Sequence, residues 1–447
     1  MSYEKTIWNT GDIITAEKMN HIENGIAEDI SDKSLSGVEI IESLNEGDKI
    51  LINSGGVIKQ IDSSLIDFNG GGSTPSMPIV GDGKTRLYVT VASMDRPVIA
   101  IYFGCTVAGG VTIDWGDGSA TEATTNTART RYSHSYSAAG DYVIALEVTD
   151  GELVLIGGVD DGGERGITQA IANEEEIPYT LSYNCSTLKM VEIGSGVTSI
   201  GNYAFAACQA LTFVVISSSV TSIGDYAFSY CQALTSVVIP EGVTSIGNGA
   251  FSSCKALTSI VIPEGVTSIG ENAFNSCYAL TSVIIPEGVA SIGYYTFNEC
   301  YALTSIVIPS SVTSISDSAF GYCSSLTAVV IPSSVTRIGE GAFTGCGLPS
   351  VIIPASVTSI GDYAFSDCPA LASITIPSSI TSIKNETFMT CTSLGGIHFL
   401  SSTPPALEAG SFDSVPEDCK IYIPMGSLEV YRAATNWSNY VSMLIEE

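Results

Sequence analysis

Positive charge is what this chain has least of. Its 447 residues carry 17 lysines and arginines against 47 aspartates and glutamates, a formal net charge of −30. Such a surface repels phosphate backbones and anionic headgroups, which excludes nucleic acid and anionic membranes as partners. The acidity either keeps a repetitive chain soluble or attracts a basic partner. Long apolar runs are also missing, so no helix is expected to insert in a membrane. The opening MSYEKTIWNTG lacks the cationic tip and apolar stretch of a secretory leader, and the expectation is folding in a reducing cytoplasm.

Catalytic vocabulary is equally thin. The three histidines, His21, His134 and His398, fall in three different segments, so no nucleophile–base–acid set can be assembled from them. There is no H-E-x-x-H, no phosphate-binding glycine loop before a helix, and no close carboxylate pair suited to acid and base. No cofactor is expected, and the chain is read as a non-enzyme. Charged residues make up only 14% of the chain and hydrophobic ones 45%, too apolar for disorder. At this length several domains are expected rather than one core.

What is present in quantity is repetition. Phenylalanine recurs every 23 residues from Phe205 to Phe388, with one step of 22 near Gly347, and cysteine keeps the same step from Cys208 to Cys391. Cys185 and Leu188 carry the ladder one coil upstream. In the coil VTSIGNGAFSSCKALTSIVIP, Val243 to Pro263, Ile260 and Ile262 alternate as inward residues of a short strand. Gly247 breaks a second short strand, AFSSCKAL offers helical spacing for about two turns, and Pro263 ends the first strand. One coil buries too little to offset ordering its residues, so copies must stack. Each cysteine sits at one repeated position, as a buried thiol does; a disulfide ladder or metal row is the alternative, and no C-x-x-C pair supports the latter.

This coil resembles the BspA-type leucine-rich repeats, and the resemblance covers about half the chain. It implies a solenoid of about ten coils over residues 158–424, with an entry cap at 167–188 and a closing amphipathic helix at 425–447. In that helix Leu428, Tyr431, Trp437, Tyr440 and Leu444 are available to pack. Residues 79–157 alternate apolar and polar side chains as an antiparallel sheet does, in VTIDW and DYVIALEVTD. Asp114-Trp115-Gly116-Asp117-Gly118-Ser119, YSHSY at 132–136 and Gly140-Asp141-Tyr142 resemble the polycystic-kidney-disease (PKD) domain, which implies a small immunoglobulin-like sandwich. Asp114 and Asp117 are read as turn formers, with calcium binding as the alternative, and Gly157–Gly166 as a loop rather than a metal site. The fold class is therefore multidomain α+β.

Residues 1–68 differ again. Thr15 can cap a helix placing Met19, Ile22, Ile26 and Ile30 on one face, a stripe suited to oligomerisation. Lys49 to Ile61 reads as a hairpin around Ser54-Gly55-Gly56, and 69–78 (NGGGSTPSMP) as a flexible linker. The segment IWNTGDIITAEKMNHIENGI resembles the opening of bacteriophage tail and head fibre proteins. That resemblance implies attachment to a virion, a homotrimer through this end, and phage structural proteins as partners; an ordinary oligomerisation helix is the alternative.

For recognition, two outward columns are expected: Val215, Val238, Val261, Ile284, Val307, Val330 and Ile352 on the first strand, and threonines from Thr198 to Thr381, interrupted by Ala290, on the second. They stabilise the sheets or contact a partner. Tyr226, Tyr230, Tyr278, Tyr294, Tyr295, Tyr301, Tyr322 and Tyr363 occupy positions that vary between coils, where packing does not demand an aromatic. They are the candidate binding residues for a host cell-surface protein or glycan, with 278, 294, 295 and 301 able to form one patch. The expectation is a receptor-binding fibre protein of a virion; a bacterial surface adhesin and an intracellular scaffold are the alternatives.

Overall fold

The computed structural model describes three strands within residues 39–62, most of residues 82–160, and residues 188–447 apart from three loop positions. The expected helix bearing Met19, Ile22, Ile26 and Ile30, the linker 69–78 and the entry-cap segment up to residue 187 lie outside the described residues. The chain divides into two compact units, residues 1–80 and 81–447.

In the first unit, β1 (Glu39–Ile41), β2 (Lys49–Ser54) and β3 (Val57–Asp62) form an antiparallel sheet in that order. Ser54 stands opposite Val57, so β2 and β3 are joined across the two residues between them.

The second unit begins with eight strands. β4 (Thr85–Val91), β9 (Gly140–Val148), β6 (Val111–Asp114) and β7 (Glu122–Ala123) make one antiparallel sheet. β5 (Val98–Cys105) pairs with β8 (Thr130–Ser135), β10 (Leu153–Val154) and β11 (Val159–Asp160). Leu87, Val89, Ile101, Phe103, Val111, Ile113, Trp115, Ile144 and Leu146 are buried in one apolar cluster. Val159 and Asp160, expected in a loop, are instead a strand, because Ile101 and Ala100 offer β5's open edge. In the turn after Trp115, Asp114 accepts the Gly116 N–H at 2.9 Å and Asp117 the Ser119 N–H at 3.0 Å. Gly116 has φ +78, and a side chain there would collide with the Val143 carbonyl.

The solenoid is not strung after this region as a separate bead. β12 (Leu188–Ile193) pairs antiparallel with β4 on one side and parallel with Phe213–Ile216 on the other, so one eleven-stranded sheet runs from the eight strands into the repeats. Arg86 and Glu192 are both buried at this seam and pair at 3.4 Å, while Arg86 also reaches Asp82 at 2.6 Å. Gly194 donates to the Thr85 hydroxyl at 3.0 Å. β4 thus supplies the strand beside the first coil.

From Leu188 to Ile423 the first-strand column has one strand per coil, each but the last followed by a two-residue second strand such as Ser245–Ile246. Phenylalanine rings stack from Phe205 to Phe412 with centroids 5.4–6.2 Å apart, and the cysteines beneath them are fully buried free thiols. The expected two helical turns in AFSSCKAL do not form. Gly249 and Ser253 hold φ of +57 and +61, which a right-handed helix cannot accommodate. Their N–H groups point along the solenoid instead, to Glu271 and Asn275 carbonyls at 2.8 and 2.7 Å, while Ser252 and Cys254 bond three residues back. The same alternation recurs in the other coils.

The closing segment is also shorter in helix than expected. Only α1 (Leu428–Ala433) is α-helical; Asn436 at φ +69 ends that direction, a 3₁₀ turn covers Trp437–Met443, and Leu444–Glu446 returns as a strand beside Lys420–Ile423. Tyr431 and Trp437 are fully buried, their polar atoms donating to the Ser401 and Pro405 carbonyls.

Candidate binding surface

Two ladders of polar bonds set the side chains of each coil. Threonines of the second strand are exposed, and their hydroxyls donate to the threonine one coil back, Thr221 to Thr198 at 3.1 Å and Thr244 to Thr221 at 3.3 Å. On the far side of the coil the thiols from Cys231 to Cys391 each donate to a phenylalanine carbonyl of the preceding coil, Cys254 to Phe228 at 3.2 Å. Burial pushes the Cys277 and Cys323 thiols up to about 12, so they are poor nucleophiles and poor metal ligands. Among the described residues no three His, Cys, Asp or Glu side chains are grouped to hold a metal ion. His134 bonds Asp117 at 2.7 Å and stacks on Trp115, and His398 bonds Glu447 at 2.8 Å and stacks on Tyr422; His21 lies outside the described residues.

The first-strand column is not one uniform stripe. Val215 is buried and Val238 and Val261 are half-buried, whereas Ile284, Val307, Val330 and Ile352 are 54%, 68%, 74% and 78% exposed.

The tyrosines occupy the turn side of the coils. Tyr226, Tyr295 and Tyr363 sit at the first positive-φ position of their coils, Tyr230 and Tyr322 at the second, Tyr278 and Tyr301 directly after the cysteine, and Tyr294 directly before Tyr295. Tyr230, Tyr294, Tyr295, Tyr301 and Tyr322 are exposed; Tyr226, Tyr278 and Tyr363 are half-buried. Some of them do pack, against expectation. Tyr226 stacks on Tyr203 at 5.1 Å, a contact the sequence reading missed, and its ring covers Gly249 of the next coil. Tyr322 covers Gly345 in the same way. Coils stack so closely that a side chain lies over the equivalent residue of its neighbour, and glycine there makes room for a ring.

Ring contacts join Tyr278 to Tyr301 at 4.9 Å and Tyr294 to Tyr295 at 6.4 Å; among the described residues none joins the two pairs, so the four make two pairs rather than one aromatic cluster. Tyr294 donates to Asp317 at 2.8 Å, and Asp317 also meets Arg337 at 3.4 Å. Lys255 stands 5.3 Å above the Tyr278 ring. Glu299 accepts the Ser276 hydroxyl at 2.9 Å. Partial burial, then Glu299, Tyr278 and Tyr322, raise the Tyr301 phenol above its ordinary value.

The sequence matches the BspA type leucine rich repeat region, in six copies, over residues 175–304 and 290–415, more than half its length. The chain belongs to the BspA-type leucine-rich-repeat family. Among solved structures it is similar to a leucine-rich repeat protein from Bacteroides ovatus, at 31% identity and TM-score 0.47, over 53% of this chain and 63% of that one. It is also similar to a leucine rich cell surface protein from Faecalibacterium prausnitzii, at 32% identity and TM-score 0.29, over 48% and 79% of the two chains. A leucine rich repeat protein from T. pallidum is 29% identical, with TM-score 0.33, over 41% and 77%. The chain thus spans about 63% of the length of the Bacteroides ovatus protein. No curated protein matches it. BspA-type repeats account for the phenylalanine and cysteine ladders. No helix among the described residues is long and apolar enough to cross a membrane.

Proposed function

We propose that this chain is a non-enzymatic binding protein of the bacterial surface-adhesin kind, whose repeats hold a cell-surface protein or glycan. The observation that carries this reading is the contrast between the two sides of each coil. The buried side repeats the same phenylalanine, cysteine and leucine, while the turn side bears exposed tyrosines at positions that differ from coil to coil. Tyrosine presents a large apolar face and a hydroxyl at small entropic cost, which suits recognition more than catalysis. The match to BspA-type repeats and the similarity to a cell surface protein support it. The test is binding of the purified chain, and of residues 79–447 alone, to intact cells and isolated cell walls. Equal binding by both forms supports recognition by the repeats; binding by neither to any cell tested removes the adhesive reading.

A second reading is favoured by the fibre-like segment from Ile7 to Ile26: the same repeats carried on a virion, with residues 1–68 as a trimeric anchor to phage structural proteins. Light scattering separates the two. A trimer of the full chain alongside a monomer of residues 79–447 supports the anchor, and two monomers count against it.

A further inference from the structure

Two positions of the repeat vary little along the chain, and each is broken once. The residue two after the second-strand isoleucine is asparagine, aspartate or glutamate in every coil from Asn202 to Asn385 except one, which carries Tyr294. The residue before that isoleucine is serine in every coil from Ser199 to Ser382 except one, which carries Arg337. Packing demands neither exception, since Tyr294 is 43% exposed and the Arg337 side chain 62%.

Asparagine and aspartate in the first row cap the coil that follows, as Asp225 accepts the Asn248 N–H at 2.7 Å. A phenol oxygen stands too far along its side chain to do this. The Tyr294 hydroxyl instead donates to Asp317 of the next coil at 2.8 Å. The same carboxylate accepts the Glu340 N–H at 3.0 Å and the Arg337 guanidinium at 3.4 Å. The two exceptions, two coils apart, therefore meet on one carboxylate that the backbone of the following coil holds in place. The Tyr295 ring, 42% exposed, lies 6.4 Å from that of Tyr294.

The coils also part on the other side of Tyr294. A Cβ on Gly247 or Gly270 would come within 2.5 or 2.4 Å of the preceding backbone, whereas one on Gly293 would stand 3.7 Å from the Glu271 Cα. Ser268–Ile269 and Ser291–Ile292 accordingly belong to different sheets, and Ile269 is half-buried where Ile246 is buried. Tyr294 thus stands at a local opening of the stack, with a charged pair at its hydroxyl end.

Such a group suits an uncharged polar ligand. Arg337 repels a cation, and an anion is repelled by the acidic side chains, which outnumber basic ones twelve to four between residues 188 and 400. The phenol proton is committed to Asp317, so the phenol oxygen accepts; the remaining Arg337 N–H groups donate, and the Asp317 carboxylate keeps acceptor capacity. Adjacent hydroxyls of a sugar both donate and accept and match this set, while the flat C–H face of its ring packs on an aromatic one. Side chains already fixed by bonds within the protein lose little freedom on binding.

We propose that Tyr294, Asp317 and Arg337 bind a residue of an uncharged glycan, its ring on Tyr294 and two adjacent hydroxyls on Arg337 and Asp317. This rests on the binding role proposed above and names the class of ligand.

The test is native affinity electrophoresis of the full chain in gels containing galactomannan, xyloglucan or mixed-linkage β-glucan, with polygalacturonate as the acidic control. Retardation by at least one neutral polysaccharide, and none by polygalacturonate, is expected. Tyr294→Asn and Arg337→Ser each restore a residue that other coils carry at that place, so an unchanged circular dichroism spectrum is expected and confirms folding. Each weakens the apparent affinity about three- to tenfold. Retardation that neither variant weakens, or retardation by polygalacturonate alone, overturns the site. No retardation in any gel overturns the glycan; if the double variant then also loses attachment to cells, these residues hold a protein instead. The cell assay keeps the two proposals apart: if Tyr294→Asn/Arg337→Ser attaches to cells as well as wild type does, this site is wrong and the adhesive role stands. If wild type attaches to none, the adhesive role falls and the electrophoresis alone decides the site.

Discussion

Two residues in every coil from Tyr203 to Thr390 hold a positive φ, and of these eighteen positions only Gly249, Gly341 and Gly345 are glycine. A left-handed conformation costs a residue with a side chain roughly 1–2 kcal/mol, and the N–H bond it makes to the next coil offsets that cost. Two of the glycines have a further reason to be there, because the rings of Tyr226 and Tyr322 lie where a methyl at Gly249 or Gly345 would be. Gly249→Ala is therefore expected to lower stability by about 1–3 kcal/mol, and adding Tyr226→Ser to recover part of the loss. Urea midpoints of the single and double variants measure both; no recovery would mean that φ alone, not the ring, excludes alanine. The thiols make a second residue-scale prediction. Cys277 and Cys323 are raised from 9.0 to about 12 by burial. A thiol whose folded pKa is raised contributes stability that is whole below its unfolded pKa and is lost as pH climbs toward the folded one. The urea midpoint should then hold steady up to about pH 9 and fall between pH 9 and pH 12, with thiol labelling negligible until denaturation. Rapid labelling of the native chain at pH 8 would contradict the burial.

At the scale of elements, the ladders break where the sequence changes. The eleven-stranded sheet ends at Ala328–Val330, and a new one starts at Ser350–Ile352. In the coils from Thr235 to Thr327 a threonine stands just before the strand, its N–H bonded to the threonine one coil back, as Thr327 is to Thr304 at 3.1 Å. Pro349 takes that place and has no N–H to give. The coil is also one residue short, at Gly347. Pro349→Thr is expected to join the sheets and add about 1 kcal/mol for the restored bond. Hydrogen exchange at the new amide of position 349 checks it: slow exchange supports the proline as the cause, and fast exchange assigns the break to the missing residue. The second-strand column breaks between Ile269 and Ser291, beside Ala290, and again between Ile360 and Ser382, where Thr381 is kept. These strand columns, the buried phenylalanines and the thiols were legible because burial repeats with the coil. The turn geometry was not. AFSSCKAL has helical spacing, and the left-handed residues that forbid a helix are mostly tyrosine, serine and asparagine rather than glycine. For the same reason the tyrosines could be placed on a varying face from sequence, but their contacts across coils could not, since which ring covers which neighbour depends on the stacking.

For the whole molecule, the decisive feature is a pairing that no local pattern announces. β4 and β12 lie about a hundred residues apart in sequence, yet they share a ladder in which Arg86 stands opposite Glu192. Stability in a stacked solenoid is transmitted through nearest-neighbour interfaces, so the strand beside the first coil governs how that end unfolds. Without β4, the edge of β12 would present unpaired backbone groups to other chains. The strands of residues 85–160 and the first coils are therefore expected to unfold as one cooperative block. Arg86→Leu leaves the buried Glu192 carboxylate without its guanidinium, and is expected to cost on the order of 3 kcal/mol. Exchange should then accelerate together in β9 and in Phe213–Ile216, on both sides of the seam. If Arg86→Leu speeds exchange in β9 alone and leaves Phe213–Ile216 as protected as before, the two regions are merely adjacent. Joint acceleration would instead mean that the region before the repeats holds the first coil closed, so that a load on one is felt by the other.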